Sequence, residues 1–283
     1  MGLFVCFFFW GNGFRRKEFL SFYSRNGSSK LYLFFPFFFL VWTDQSTPFT
    51  YMGPQGPENW GSLCPSYATC SNGKSQSPID IVTNLTATSN YHQTLVKRYT
   101  AANATLINNG FNIGVHFENG SGGMAVINGK SYTLQQMHWH SPSEHRLNGR
   151  LFAAELHLLH QADNGILSVI GILLQYGDPD PLLQQVQDKL AALANGTGTN
   201  EEVYVALGDL EPKLVRKNKY YRYIGSLTTP PCTENVMWSI LGTTKTISKE
   251  QIEALKVPLA PVYKNNARPV QPLNDRKIEI YEE

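Results

Sequence analysis

Ser131-Tyr132-Thr133-Leu134-Gln135-Gln136-Met137-His138-Trp139-His140 is rich in strand-forming residues, contains no Gly or Pro, and is closed by Pro142. Side chains on a strand alternate between its faces. Gln136, His138 and His140 therefore share one face, and Met137 and Trp139 share the other and point toward a core. A second strand-like run, Leu151 to Leu159, is bounded by Gly149 and Asp163-Asn164-Gly165. Within it Ala153, Glu155 and His157 share a face. If the two runs pair as adjacent antiparallel strands, three imidazoles converge on one side of a sheet. Three such nitrogens, with a fourth position left for water, form the open type of zinc site.

A His-X-His pair alone is common and says little. Here four of the seven histidines, His138, His140, His145 and His157, fall within twenty residues, and that clustering favours a metal. Gln136 stands two residues before His138, and Glu155 two before His157. Metal-bound imidazoles donate their free N–H to such groups, which fixes ring orientation and tautomer. Read without His157, Glu155 is a surface carboxylate on a half-exposed strand. Read alone, Thr228-Thr229 before Pro230-Pro231 is a turn pair.

Elsewhere short strand-like runs alternate with Gly, Asn or Pro turns: Thr105–Ile107, Ile113–Phe117, Met124–Ile127, Leu167–Gln175 and Val236–Leu241. Leu167–Gln175 is almost continuously apolar and reads as a central strand. Helices are few. Asp180-Pro181 opens one, Leu182, Leu183, Val186, Leu190 and Leu193 follow at helical spacing, and Asn195-Gly196 closes it. Ser248-Lys249-Glu250-Gln251 is a capping box that opens a second. Pattern alone predicts a mainly β chain with some helix and no internal repeat.

Several ordered motifs go further. Ser143-Glu144-His145-Arg146-Leu147, Phe152 and Glu155-Leu156-His157-Leu158-Leu159 resemble the signature of the α-class carbonic anhydrases, and of their secreted type. Gly56-Pro57-Glu58-Asn59-Trp60-Gly61 and Gln76-Ser77-Pro78-Ile79-Asp80-Ile81 resemble the family's opening motifs. Gly225-Ser226-Leu227-Thr228-Thr229-Pro230-Pro231-Cys232 and Asn266-Ala267-Arg268-Pro269 resemble two later ones. The resemblance runs from about Phe49 to the C-terminus.

It implies a single α+β domain: a large twisted, mostly antiparallel sheet with short peripheral helices. It implies reversible hydration of carbon dioxide to bicarbonate, with Zn2+ held by His138, His140 and His157. Thr228 would accept the hydrogen bond that orients the attacking hydroxide, and Glu144 would accept from Thr228. Asn266 would stand beside His140. Thr229 would touch bicarbonate or a sulfonamide inhibitor. Leu159, Val169, Leu227, Val236 and Trp238 would form the apolar wall that holds carbon dioxide, and Cys70 would pair with Cys232. The chemistry is coherent. Three neutral imidazoles leave the metal's charge intact, so that a bound water ionises near pH 7. A threonine hydroxyl whose proton goes to a carboxylate can only accept from its other neighbour.

One position departs from the family. Where its fast members carry a proton-transferring histidine after Asn-Asn-Gly, here Asn108-Asn109-Gly110, this chain has Phe111. An enzyme limited by proton transfer and partly rescued by buffer is expected. His116 is nearby, but in a regular strand its odd spacing from Phe111 puts it on the opposite face.

The 283 residues are read as a leader over 1–43 and one catalytic domain over 44–283. The leader holds two apolar blocks, Leu3–Trp10 and Leu31–Trp42, around a basic segment. The second has the length of a signal peptide's apolar core, is shorter than a membrane span and contains Pro36. No small-X-small cleavage site stands near Trp42, so an uncleaved anchor or a wrongly assigned first exon stays open; only an uncleaved segment would bring a membrane partner. The leader carries five basic residues and one acidic, which leaves 19 basic and 21 acidic beyond it and no basic stripe. A nucleic-acid partner is not expected. Sequons at Asn84, Asn103, Asn119 and Asn195, with the implied disulfide, agree on the secretory route, ending outside the cell or in an organelle lumen. Cys64 is left over, and Cys6 lies in the leader.

Two rival readings remain. His138-X-His140 with Glu144 and Gly149 resembles a cupin metal motif, but the glycine spacings do not fit and no Pro-X-Gly precedes His157. Zincin proteases are excluded because no His-Glu-X-X-His occurs. The weightier rival is a catalytically weak or inactive relative that serves as a binding or storage protein. All three histidines, Thr228 and Glu144 are retained, and only Phe111 points that way.

Overall fold

The computed structural model describes residues 48–88, 95–194, 201–208 and 219–282. Residues 1–43, expected to be a leader, lie outside the described residues. The strands that matter most are β1 (Ala102–Asn108), β2 (Ile113–His116), β3 (Lys130–His140), β4 (Ala154–Gln161), β5 (Leu167–Tyr176), β6 (Glu201–Leu207), β7 (Lys219–Ser226), β8 (Glu234–Leu241) and β9 (Glu279–Glu282). In space they run β6-β1-β2-β3-β4-β5-β8-β7-β9. Every pairing along this path is antiparallel except β5 with β8. The expected large, mostly antiparallel sheet is present, and the apolar run 167–175 is central in it.

The sheet separates two apolar clusters. The larger takes Leu134, Met137, Trp139, Leu156, Leu158, Ile170 and Ile172 from the middle strands. The other packs Val169, Leu173, Tyr223, Val236, Trp238 and Ile240 with Ile79, Ile81 and Phe152. β3 reaches both sides through a register shift between Leu134 and Gln136. In an unbroken strand Leu134 would share the face of Gln136, His138 and His140. The extra residue turns Leu134 into the core beside Met137 and Trp139, and leaves the histidines on the other face.

Gly171 on β5 stands opposite His157. A Cβ there would lie 2.6 Å from Ile240 Cδ1 and 3.0 Å from Glu155 Oε1, so a side chain would push Ile240 aside and crowd the carboxylate that braces His157.

The Ser248 capping box forms as expected over the helix Lys249–Lys256, with Gln251 N–H donating to Ser248 Oγ (3.2 Å) and Ser248 N–H to Gln251 Oε1 (3.3 Å). The continuous helix expected after Asp180 does not. Two 3-10 turns, Leu183–Gln185 and Gln187–Lys189, precede a short α-helix, Leu190–Ala194. Val186, at φ −121° and ψ −4°, breaks the run. Asp180 still caps it, its Oδ1 accepting from the N–H groups of Leu182 and Leu183, and all five apolar residues are buried. The spacing reported the buried side of the segment, and tight i→i+3 turns satisfy it as well as a helix does. Its expected stop, Asn195-Gly196, lies outside the described residues. The second strand-like run also starts later than expected, at Ala154, because Phe152 is bonded to Ser143 through N–H to Oγ (3.0 Å) and C=O to N–H (3.1 Å) instead of to the sheet.

Candidate metal centre

β3 and β4 pair in the register that sets His138 opposite His157 and His140 opposite Glu155. The three rings converge, with centroids 5.0 Å (138–140), 5.2 Å (138–157) and 4.6 Å (140–157) apart. Each ring has one nitrogen held from behind. His138 Nδ1 donates to Gln136 Oε1 (2.8 Å), His140 Nδ1 to the carbonyl of Asn266 (2.6 Å) and His157 Nε2 to Glu155 Oε1 (2.8 Å). The remaining nitrogens are Nε2 of His138, Nε2 of His140 and Nδ1 of His157. One nitrogen from each ring lies within 4.8 Å of the others, a group that could hold a metal ion.

Burial lowers the pKa of all three histidines. His140 falls to about 4, against the opposing pull of its bond to Asn266. His138 lies well below 6.5, pushed further by His140 and His157, and His157 is lowered too. At neutral pH the rings are uncharged and keep lone pairs for a cation. His140 Nε2 is buried with no hydrogen-bond partner. A buried, unsatisfied nitrogen costs roughly 1–3 kcal/mol, and a cation in the cup removes that cost. The donor set fits a divalent metal with nitrogen ligands.

Glu155 does more than brace His157. Its Oε1 also accepts from His145 Nδ1 (2.7 Å), and its Oε2 accepts from the backbone N–H groups of Glu144 (2.9 Å) and His145 (2.8 Å). Burial alone would raise its pKa; His145 and His157 overcome that and hold it well below the usual carboxylate range. The chain continues inward, since His145 Nε2 accepts from the Tyr223 hydroxyl (2.7 Å), which is 2.8 Å from Ser77 Oγ. Tyr223 and Ser77 carried no sequence signal for this task. His145 did, inside the Ser143-Glu144-His145 motif.

Glu144 is buried beside the cup. Its Oε1 accepts from the N–H of Arg268 (2.9 Å), while Oε2 lies 3.5 Å from His140 Nε2 and 3.9 Å from His157 Nδ1. Burial raises its pKa to about 7, opposed by His157, by a hydrogen bond from Thr228 and by Arg268. Oε2 itself has no hydrogen-bond partner. A cation held by the histidines would draw Glu144 into its ionised form.

Above the cup is a cavity of about 260 Å³. Asn109, Asn112, His116 and Gln136 form its polar side, and Leu159, Val169, Leu227 and Trp238 its apolar side; His138, His157, Thr228 and Thr229 also line it. Of the residues expected in the apolar wall, Val236 is the exception: it is buried behind the wall in the same cluster and does not line the cavity. Phe111 lies at the cavity, its ring 5.2 Å from that of Phe49 and its carbonyl bonded to Asn266 Nδ2 (3.0 Å).

His116 is a correction. It lines the same cavity, on the face of Gln136 and His138, because it pairs directly with Gln136 across β2 and β3. Odd spacing from Phe111 does not decide its face, because Phe111 is not in the strand. β2 begins only at Ile113, after the turn at Gly110, so alternation does not extend back to Phe111.

Cys70 and Cys232 are bonded, with Cα atoms 5.0 Å apart. The bridge anchors the segment that follows Thr228, where Cys232 N–H donates to Thr229 O (2.8 Å). Cys64 packs against the same small cluster as the bridge. Asn84, Asn103 and Asn119 are exposed, and Asn195 lies outside the described residues.

A large twisted sheet carrying a three-histidine cup beneath a two-sided cavity defines the class of protein. The chain belongs to the eukaryotic-type carbonic anhydrase family, whose sequence model matches residues 55–282. It is 41% identical over 229 residues to alpha carbonic anhydrase 7 of Arabidopsis thaliana, covering 80% of this chain and 82% of that protein. Among solved structures it is similar to dioscorin complexed with ascorbate (TM-score 0.79, 36% identity, 83% of this chain and 98% of that one). It is also similar to the α-carbonic anhydrase of Thermovibrio ammonificans in complex with the inhibitor sulfanilamide (TM-score 0.71, 36% identity, 82% and 99%).

Proposed function

We propose that this chain hydrates carbon dioxide reversibly to bicarbonate and a proton, with Zn2+ held by His138, His140 and His157. The observation that carries the reading is the convergence of three neutral, braced imidazoles whose free nitrogens face one point, with His140 Nε2 buried and unpartnered. Bound there, zinc supplies the Lewis acidity that makes hydroxide available from water near neutral pH.

The chain's own residues do the rest. Gln136, the Asn266 carbonyl and Glu155 fix the tautomer of each ring. With Glu144 ionised, the Thr228 hydroxyl spends its proton on the carboxylate, and its oxygen is left to accept from the attacking group and aim it. Leu159, Val169, Leu227 and Trp238 offer an apolar surface to an apolar gas and keep bulk water from it. Thr229, at the same cavity, is available to the anionic product and to sulfonamides; the relative from Thermovibrio ammonificans was solved with sulfanilamide. Removing metal with a chelator and restoring Zn2+ tests the reading: hydration should disappear and return. Hydration that persists in the metal-free protein would contradict it.

A second reading is a ligand-binding protein of low turnover. It draws on the likeness to dioscorin, solved with ascorbate, and on Phe111 in place of a proton-carrying histidine. We also propose a secretory route, supported by the disulfide and the exposed Asn84, Asn103 and Asn119. Residues 1–43 would then be removed, which sequencing the N-terminus of the mature protein tests, and glycosidase-sensitive mass at the sequons tests the glycans. Among the described residues no helix is long and apolar enough to cross a membrane.

A further inference from the structure

We propose that His116 carries protons between the cavity and solvent buffer, in place of the histidine that Phe111 displaces. This inference rests on the function proposed above. Phe111 has no ionisable atom, and its ring is packed against Phe49. His116, half-buried, lines the same cavity. It sits opposite Gln136, and Gly114, one strand step away on the same face, sits opposite His138. A Cβ at Gly114 would lie 3.6 Å from His116 Nε2 and 3.0 Å from Asn109 Nδ2. The imidazole therefore leans back over bare backbone toward the floor of the cavity, beside a carboxamide. Gln136, its partner across the strands, holds His138 Nδ1.

The step balances without any further reagent. Neutral imidazole takes a proton from hydronium in the cavity and releases water; the imidazolium then gives the proton to a buffer base and returns to imidazole. From β3, His138 is the titratable group that lines the same cavity on the same face. From β1, the residue opposite is Thr105. Across the cavity the titratable group is His157, the other lining side chains being amides, hydroxyls and apolar groups.

The test compares the zinc-loaded wild type with His116→Ala and His116→Gln in about 1 mM buffer. The expected result is a fall in kcat of about tenfold with kcat/KM unchanged, restored by millimolar imidazole. Zinc content and sulfanilamide affinity should be unchanged in both variants, and Gln, which keeps polarity and bulk, should behave as Ala does. Separately from activity, NMR of the ring nitrogens should show His116 changing protonation between pH 5 and 8. Wild-type kcat in both variants, a parallel loss of kcat/KM, or a ring that keeps one protonation state across that range overturns the proposal and leaves the zinc enzyme standing. A wild type with no zinc or no hydration activity overturns both.

Discussion

His138 and His157 stand directly opposite each other on adjacent antiparallel strands, with ring centroids 5.2 Å apart. That register is what turns two separated motifs into one cup. Losing a group that merely supports a metal ligand costs about 10- to 100-fold in affinity. Glu155→Gln should fall in that range, because Glu155 accepts from His157, from His145 and from two backbone N–H groups. His157→Ala should lose more than ~100-fold. Competition with a zinc chelator measures both. Wild-type affinity in His157→Ala would remove that residue from the ligand set.

Thr228 is argued to aim the nucleophile rather than to hold metal. Thr228→Ala should keep full zinc content and lose about 10²-fold or more in hydration, and Thr228→Ser should retain most activity. Metal analysis with stopped-flow kinetics separates the effects. A Thr228→Ala protein that loses zinc in proportion to activity would contradict the assignment.

Phe111→His places an ionisable residue in the wall of the cavity. Turnover in dilute buffer should rise several-fold and approach the wild type's rate in concentrated buffer. Because His116 is proposed to carry the proton already, the variant is also made in the His116→Ala background, and no gain at low buffer there would count strongly against proton transfer as the limit.

The metal-free protein should weaken in acid. His140 and His160 have folded pKa values of about 4 against 6.5 unfolded, and His138 and His157 shift the same way. As pH falls from 6.5 toward 4, the unfolded chain takes up these protons first, so stability is full above 6.5 and is lost on the way down. Each fully shifted imidazole contributes roughly 2 kcal/mol of that loss at pH 5. Glu144 acts in the opposite sense, since its raised folded pKa favours the protonated folded state, a contribution present below 4.5 and lost as pH rises through about 7. Asp180, raised by burial, acts in the same sense as Glu144, and four histidines outweigh these two carboxyls. Urea unfolding at pH 7.5 and pH 5 should show the lower stability at pH 5, and equal or greater stability there would refute this balance.

Strand alternation was enough to assign the faces of Gln136, His138, His140, Glu155 and His157, because each lies beyond the β3 bulge or within regular β4. It misled at His116, where the reference residue, Phe111, belonged to a turn. Helical spacing misled at 180–194, where the positions of buried residues did not fix the backbone. Thr228 and Glu144 are 84 residues apart, and only the family resemblance, not any local pattern, brought them together. The same holds for Cys70 with Cys232. Tyr223 and Ser77, which extend the chain behind Glu155, are invisible without a fold, since nothing local marks a buried hydroxyl as a link in a network.

The most direct test is stopped-flow carbon dioxide hydration by the purified protein, with zinc measured on the same sample and sulfanilamide as inhibitor. The account predicts about one zinc per chain, hydration above the buffer background, and its suppression by sulfanilamide. A protein made in zinc-replete medium that carries no zinc, or carries it and does not accelerate hydration, would contradict the account.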